Sequence, residues 1–156
     1  MIEIERKFLV TSKAFIEESF TSFRIIQGFL NTDKERTVRV RLKDQVGFLT
    51  VKGQSTNDGL TRFEWETSIS KSEAEALLKI CEKGIIDKIR YEVKSGSHVV
   101  EIDVFFGENE GLIVAEVELE NEDEILVKPS WFGKEVTGDI KYYNSQLSKQ
   151  PYKTWD

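Results

Sequence analysis

Charged residues recur at every second position through most of this chain, and each run places them on one face of an extended strand. Glu3, Glu5 and Lys7 alternate with Ile2 and Ile4; Arg39, Arg41 and Lys43 alternate with Val38, Val40 and Leu42. The same holds for Arg62, Glu64 and Glu66 around Phe63 and Trp65, and for Lys88 and Arg90 around Ile89 and Tyr91. Glu101 and Asp103 flank Ile102, and Glu116, Glu118 and Glu120 flank Val117 and Leu119. Successive strand side chains point to opposite faces, so each of these six segments has a charged face and an apolar face.

A half-buried antiparallel sheet with cross-strand ion pairs on a solvated face would explain any one of these pairs. It does not explain the sorting by sign, because a face built only for solubility intersperses charges within each strand. Segregated rows make opposing acidic and basic walls. If the sheet closes, this polar face can line an interior, with the apolar face covered by helices and a second subunit.

The period-two segments are Ile2 to Val10, Arg24 to Leu30, Thr37 to Lys43, Phe48 to Lys52, Thr61 to Ile69, Lys88 to Lys94, Val99 to Phe105 and Leu112 to Glu120. Turn chemistry separates them at Asp44 to Gly47, Asn57 to Gly59 and Lys94 to Gly96, so the order predicts antiparallel hairpins. A helix is predicted over Lys71 to Lys83, with Ser70 and Glu73 as a capping box and Gly84 as its stop. Shorter helices are expected from Ser12 to about Ser19, over Asn121 to Leu126, and over Lys141 to Lys149. No repeat or interdomain linker interrupts the 156 residues, so a single domain over 1–156 is expected, α+β but mainly β.

A net charge of −6 argues against general affinity for nucleic acid or an anionic membrane. One cysteine and one histidine exclude a disulfide framework and a Cys/His zinc cluster, so any metal must be held by oxygen. No apolar run approaches the ~20 residues of a membrane span, and the chain opens on a charged alternating segment; a soluble, cytoplasmic protein is expected. Carboxylates gathered without His or Cys suit Mg²⁺ or Mn²⁺. Arginines on the other wall suit phosphate, which their planar forks bind bidentately. Both walls in one cavity point to a metal-chelated polyphosphate.

Glu3-Ile4-Glu5-Arg6-Lys7 carries an E-x-E-x-K signature, and its company makes it specific. Val-Arg-Val-Arg-Leu follows from Val38, Thr-Val-Lys-Gly from Thr50, then Glu64-Trp65-Glu66, Lys88-Ile89-Arg90-Tyr91, Glu101-Ile102-Asp103-Val104, Ala115-Glu116-Val117-Glu118, and Trp131 through Asp139. In this order, across nearly the whole chain, the blocks resemble the CYTH, or triphosphate tunnel metalloenzyme, superfamily. The resemblance implies a closed eight-stranded antiparallel β-barrel forming a tunnel with a few flanking helices, commonly in a homodimer. It implies metals on the acidic wall and triphosphate on the basic one, and is strongest to the short bacterial inorganic triphosphatases.

Carried over residue by residue, the resemblance gives Glu3, Glu5, Glu116 and Glu118 as metal ligands. It gives Lys7, Arg39, Arg41, Lys52, Lys88 and Arg90 as phosphate ligands, and extends to Arg62 and Lys141. Glu64, Glu66 and Asp103 are second choices, as metal ligands through water or as groups that orient the cations. The expected reaction is in-line attack of water on a terminal phosphoryl group, giving orthophosphate and diphosphate with two metal ions in the catalytic complex. Lys88 and Arg90 are the expected stabilisers of the transferring group, with Glu64 or Glu118 accepting the proton. Rivals on the same scaffold are an adenylate cyclase, a nucleoside or thiamine triphosphatase, and a noncatalytic polyphosphate-binding module.

Arg6 falls on the apolar face and is expected outside the tunnel. Phe29 stands where some relatives have Tyr, which removes a hydroxyl from that position. Cys81 is expected in the core, His98 exposed after its turn, and Trp131 and Phe132 as packing anchors.

Overall fold

The computed structural model describes residues 2–155. Nine strands form: β1 (Ile2–Val10), β2 (Thr21–Asn31), β3 (Arg36–Lys43), β4 (Val46–Ser55), β5 (Thr61–Ile69), β6 (Ile86–Ser95), β7 (His98–Phe105), β8 (Ile113–Leu119) and β9 (Phe132–Glu135). Starting from β1, neighbours run β8, β7, β6, β2, β3, β4, β5 and back to β1, which closes an eight-stranded antiparallel barrel. β1 shares its second edge between two partners: Ile2 to Ile4 pair with β5, whereas Phe8 and Val10 pair with β9. The eight alternating segments are therefore the eight barrel strands. β9 went unread because four residues containing Gly133 carry no useful period.

Two-residue turns join β3 to β4 and β6 to β7, where Lys43 pairs with Val46 and Ser95 with His98. Asp44 supplies the positive φ of the first turn, and Gly96 that of the second. Gly47, read as part of the turn, instead lies within β4. A Cβ there would approach the Ala74 Cβ to 2.7 Å, so its role is to let α2 (Lys71–Leu78) pack against the sheet.

α2 begins on the predicted capping box: Glu73 N donates to Ser70 Oγ at 3.1 Å and Ser70 N donates to Glu73 Oε1 at 2.8 Å. It ends at Leu78, before the predicted stop at Gly84, and Cys81 lies beyond it, half-buried rather than in the core, with Sγ donating to Leu77 O at 3.3 Å. The helix after Ser12 is a single turn, α1 (Phe15–Glu18). No helix forms over Asn121 to Leu126: Asn121 Oδ1 accepts from Asp123 N, and Glu124 Oε2 accepts from Asn121 N, which closes a turn. The C-terminal helix is broken in two, a 3₁₀ turn over Ile140–Tyr142 and α3 (Asn144–Leu147). No described helix is long and apolar enough to cross a membrane.

Outside the barrel, Phe8, Phe15, Val100, Ile102, Val117 and Trp131 form one buried cluster. Phe132 stacks on Phe8 with centroids 4.4 Å apart, so Trp131 and Phe132 are the expected anchors. Arg6 lies on this outer side and forms two hydrogen bonds to the Glu135 carboxylate, at 2.9 and 2.7 Å. His98 is buried, contrary to expectation, because Glu124 comes within 3.0 Å of its Nε2.

A second cluster joins Ile86, Phe105, Leu112 and Val114 to Val136, Tyr142 and Leu147. Ile86, Phe105 and Val114 share the faces of Lys88, Asp103 and Glu116, so this cluster fills one end of the barrel's interior. Trp155 packs edge-on against Tyr142 over that end. The interior is consequently roofed by the C-terminal segment and lined by charge beneath it.

Candidate active site

The interior charges divide by strand. β7, β8, β1 and β5 are contiguous and bring Glu101, Glu116, Glu118, Glu3, Glu5, Glu64 and Glu66 to one arc of the wall. β6, β2, β3 and β4 complete the circle with Arg90, Arg39, Arg41 and Lys52. Lys7 and Arg62 are the cations on the acidic strands, and both lie towards the roof with Tyr143.

Two connected spaces follow. A tight inner chamber of about 50 Å³ is lined by six cations, Lys7, Arg39, Arg41, Lys52, Arg62 and Arg90, with Glu5 and Glu116 as its carboxylates. A wider mouth of about 330 Å³ opens from it between Glu3, Glu64, Glu66, Glu101 and Glu118.

Several cations are held in place by carboxylates. Arg90 Nε and Nη2 donate to the two oxygens of Asp103 at 2.7 and 2.9 Å, and its Nη1 donates to Glu101 at 3.2 Å. Lys52 donates to Glu3 at 2.9 Å. Lys7 Nζ lies 3.8 Å from Glu116 and 3.9 Å from Glu5. Glu66 accepts from Thr50 Oγ1 at 2.6 Å.

Arg41 differs from these. Its Nε donates to Gln27 Oε1 at 3.2 Å, but no described carboxylate lies within ion-pair distance. Burial, with the neighbouring Arg39 and Arg90 guanidinium groups, pushes it down to about 9. The Arg39 Nε and Gln27 Nε2 donors are also buried with no hydrogen-bond partner in the protein. Buried donors without acceptors are costly, and these two, beside an Arg41 that has no carboxylate partner, mark a place for an acceptor-rich anion.

The acidic arc has the opposite imbalance. Glu5 faces Glu118 directly across the β1–β8 ladder, and Glu101 faces Glu116 across β7–β8. Like charges directly opposite are destabilising, so a structural role alone does not account for them. Burial, followed by the Glu116 carboxylate, pushes Glu5 up to about 8. Burial and Glu3 bring Glu64 to about 7 against the pull of Lys52. Glu116 remains low, at about 2, because Lys7 and Arg90 outweigh its burial. Among the described residues no three carboxylates converge into a ready-made coordination sphere.

Three expected site residues are placed elsewhere. Lys88 is 0% exposed, and its ammonium is engaged by Asp103 at 2.8 Å and by Asn144 Oδ1 at 3.0 Å, behind the chamber wall. Asp103 is buried between Lys88 and Arg90, and these cations hold its carboxyl well below the usual range against the effect of burial. It orients cations, one of its two expected roles, and does not face the mouth. Lys141 lies outside, over the rings of Trp155 and Tyr142 at 4.8 and 5.3 Å. The lining also includes residues that sequence reasoning passed over: Glu101, which shares the period of Asp103, and Tyr143, Asn144 and Ser145 of the roof, which carry no periodic signal.

Asp103→Ala would leave two buried cations facing each other without their carboxylate. A loss of about 3 kcal/mol of stability is expected, read by chemical denaturation; Glu118→Ala, at the exposed mouth, is the control expected to change stability little.

A family model for the CYTH domain matches residues 1–150. The chain is 45% identical over 154 residues to an inorganic triphosphatase of Acetivibrio thermocellus, covering 98% of this chain and 97% of that protein. It is 36% identical over 153 residues to an inorganic triphosphatase of Nitrosomonas europaea, covering 95% and 97%. Among solved structures, the crystal structure of the inorganic triphosphatase NE1496 superposes with a TM-score of 0.67 at 34% identity, covering 94% of this chain and 93% of that one.

Proposed function

The chain belongs to the CYTH domain family, and from that premise we propose that it hydrolyses inorganic triphosphate to diphosphate and orthophosphate. The observation that carries this reading is the six-cation chamber with Arg41 unpaired inside it. Triphosphate supplies dense, short-range negative charge and many acceptor oxygens, more than Glu5 and Glu116 offer the six cations. Relatives named inorganic triphosphatase align over almost the whole chain and support the same substrate.

The donor set of the acidic arc fits a divalent cation. It is all oxygen, and its opposed carboxylates are relieved by positive charge. Because the carboxylates do not converge, the fit is to a hydrated hard ion such as Mg²⁺ or Mn²⁺, which takes one or two carboxylates and keeps several waters. Glu3, Glu5, Glu116 and Glu118 are the residues proposed to hold it, with Glu101 added by its position in the mouth. Bound there, one or two such ions would supply charge neutralisation and a more acidic water.

The protein's own groups do the rest. Arg39, Arg41, Arg62, Lys7 and Lys52 bind the phosphate oxygens and fix the chain's direction. Arg90, locked by Asp103, presents a guanidinium at a fixed angle to the transferring phosphoryl group, where preorganised charge is most effective. Glu64, near neutrality and at the mouth, is suited to accept a proton from the attacking water. Lys88 acts at one remove, by holding Asp103 and Asn144 in place.

A panel of inorganic triphosphate, nucleoside triphosphates and thiamine triphosphate tests the assignment. The highest kcat/KM is expected for inorganic triphosphate, and ATP with Mn²⁺ is expected to give orthophosphate and no cyclic AMP. An organic triphosphate hydrolysed faster than the inorganic one would overturn the substrate.

We also propose a homodimer formed through the outer faces of β1 and β5. There Ile2, Phe63 and Trp65 are 63%, 43% and 42% exposed, and Ile2 pairs directly with Phe63, so the apolar surface is continuous. Light scattering is expected to give a two-chain mass for the wild type and a one-chain mass for Trp65→Glu; a one-chain wild type would exclude the dimer.

A further inference from the structure

Beyond the roof of the inner chamber lies a second pocket of about 230 Å³, bordered by the β4–β5 turn and the C-terminal segment. Thr37, Arg62, Tyr143 and Ser145 line both spaces and so stand between them. Tyr143 is the one large side chain among the four that is not a cation. Its ring lies over Lys7 Nζ at 4.4 Å and over the Arg62 guanidinium at 5.6 Å, and its hydroxyl shares a 3.3 Å hydrogen bond with Ser55 Oγ. The ring is thus tied to β1 and β5 by cation–π contact and to β4 by its hydroxyl.

The backbone around it is equally fixed. A Cβ built on Gly59 would lie 2.1 Å from Gly138 Cα and 3.2 Å from the Tyr143 hydroxyl, so the β4–β5 turn is pressed against the chain leading into the roof. Tyr143 has little room to move aside without separating these segments. Past it, the outer pocket offers further positive charge, Lys34 and the other side of Arg62.

We propose that Tyr143 sets substrate length, as an end wall that accepts the terminal phosphate of a triphosphate and stops a longer linear polyphosphate from threading on to Arg62 and Lys34. This deepens the triphosphatase reading and rests on it. The inner chamber has room for little more than one phosphate group, so a chain must lie from the end wall towards the acidic mouth. With one end against the wall, a fourth phosphate would have to extend among the mouth carboxylates Glu3, Glu64, Glu66, Glu101 and Glu118, or pass the wall.

Tyr143→Ala removes the wall, and Tyr143→Phe keeps it while deleting the Ser55 contact. The quantity read is the ratio of kcat/KM on linear tetraphosphate to that on triphosphate. The ratio is expected to rise about ten-fold or more in Tyr143→Ala, as for other changes of pocket length, and to stay at the wild-type value in Tyr143→Phe. Because Lys7 loses its ring, the triphosphate rate falls in Tyr143→Ala as well, but a merely structural defect would lower both substrates together and leave the ratio unmoved. An unchanged ratio in Tyr143→Ala overturns the proposal. Should that variant fail to fold, Tyr143→Leu, too short to reach Ser55, reads the same ratio. A wild type that turns over neither chain contradicts the hydrolase reading instead; the length preference is then read as the ratio of binding constants for the two phosphates in chelator, with the same expected rise and the same overturning result.

Discussion

Replacing Arg41 with Met is expected to lower kcat/KM for triphosphate by about 10⁴-fold, as loss of a phosphate-clamping arginine does in other phosphoryl-transfer sites, without destabilising the barrel. Both halves of this result follow from the same contacts. Arg41 is half-buried beside Arg39 and Arg90 and meets only the neutral Gln27, so the folded protein bears its charge at a cost. Met removes the like-charge repulsion and keeps most of the volume. The melting temperature is expected to stay level or rise, the pattern of a group retained for its ligand. Arg90 offers the contrast, since its charge is already satisfied by Asp103, and Arg90→Met would leave that buried carboxylate with Lys88 as its one cation and lower stability together with activity. A destabilised Arg41→Met protein with normal turnover would show that Arg41 serves the fold.

Glu5→Gln is expected to lower metal-dependent turnover by about 10³-fold or more and to change how stability responds to pH. In the metal-free protein burial and the Glu116 carboxylate push the Glu5 carboxyl up to about 8, far above an unfolded glutamate. Between those values the folded chain holds a proton that the unfolded chain has lost, so the stability contributed by this group falls as pH rises from about 5 to 8. Glu64, raised to about 7, adds to the same slope. A divalent cation takes the place of the proton, so Mg²⁺ is expected to restore the melting temperature most at pH 8 and least at pH 5. Glu5→Gln, a fixed mimic of the protonated state, is expected to flatten the slope and blunt the restoration by Mg²⁺. Normal activity in this variant would refute its metal role.

The barrel was legible because one rule, alternation, runs through eight strands and says which face each charge occupies. Closure was supplied by the family resemblance, since the β1–β5 pairing that makes it spans only Ile2 to Ile4 and leaves no pattern of its own. Within the site, the period placed Glu101 and Asp103 on the same wall but could not say how deep each would lie. Depth depends on strand register: pairing with Arg90 carries Asp103 behind the wall, and pairing with Glu116 leaves Glu101 at the mouth. Lys88 was misplaced for the same reason, because register sets it beside Phe105 at the apolar end.

The roof was the least legible part. Tyr142, Tyr143 and Asn144 belong to a segment read as one helix, whereas the chain breaks at Tyr143, which is extended with φ −69° and ψ 136°. That break turns Tyr142 towards the apolar plug, Tyr143 towards Lys7 and Asn144 towards Lys88. The contacts of Tyr143 and Asn144 join residues more than fifty positions apart, and no local periodicity encodes them.

Phosphorus NMR of inorganic triphosphate incubated with the wild-type protein follows every phosphate species at once. Equal amounts of orthophosphate and diphosphate are expected to appear in Mg²⁺ or Mn²⁺, with no change in excess chelator. Triphosphate that stays intact in both metals, or that is cleaved equally well in chelator, would contradict metal-dependent hydrolysis in the charged interior of this barrel.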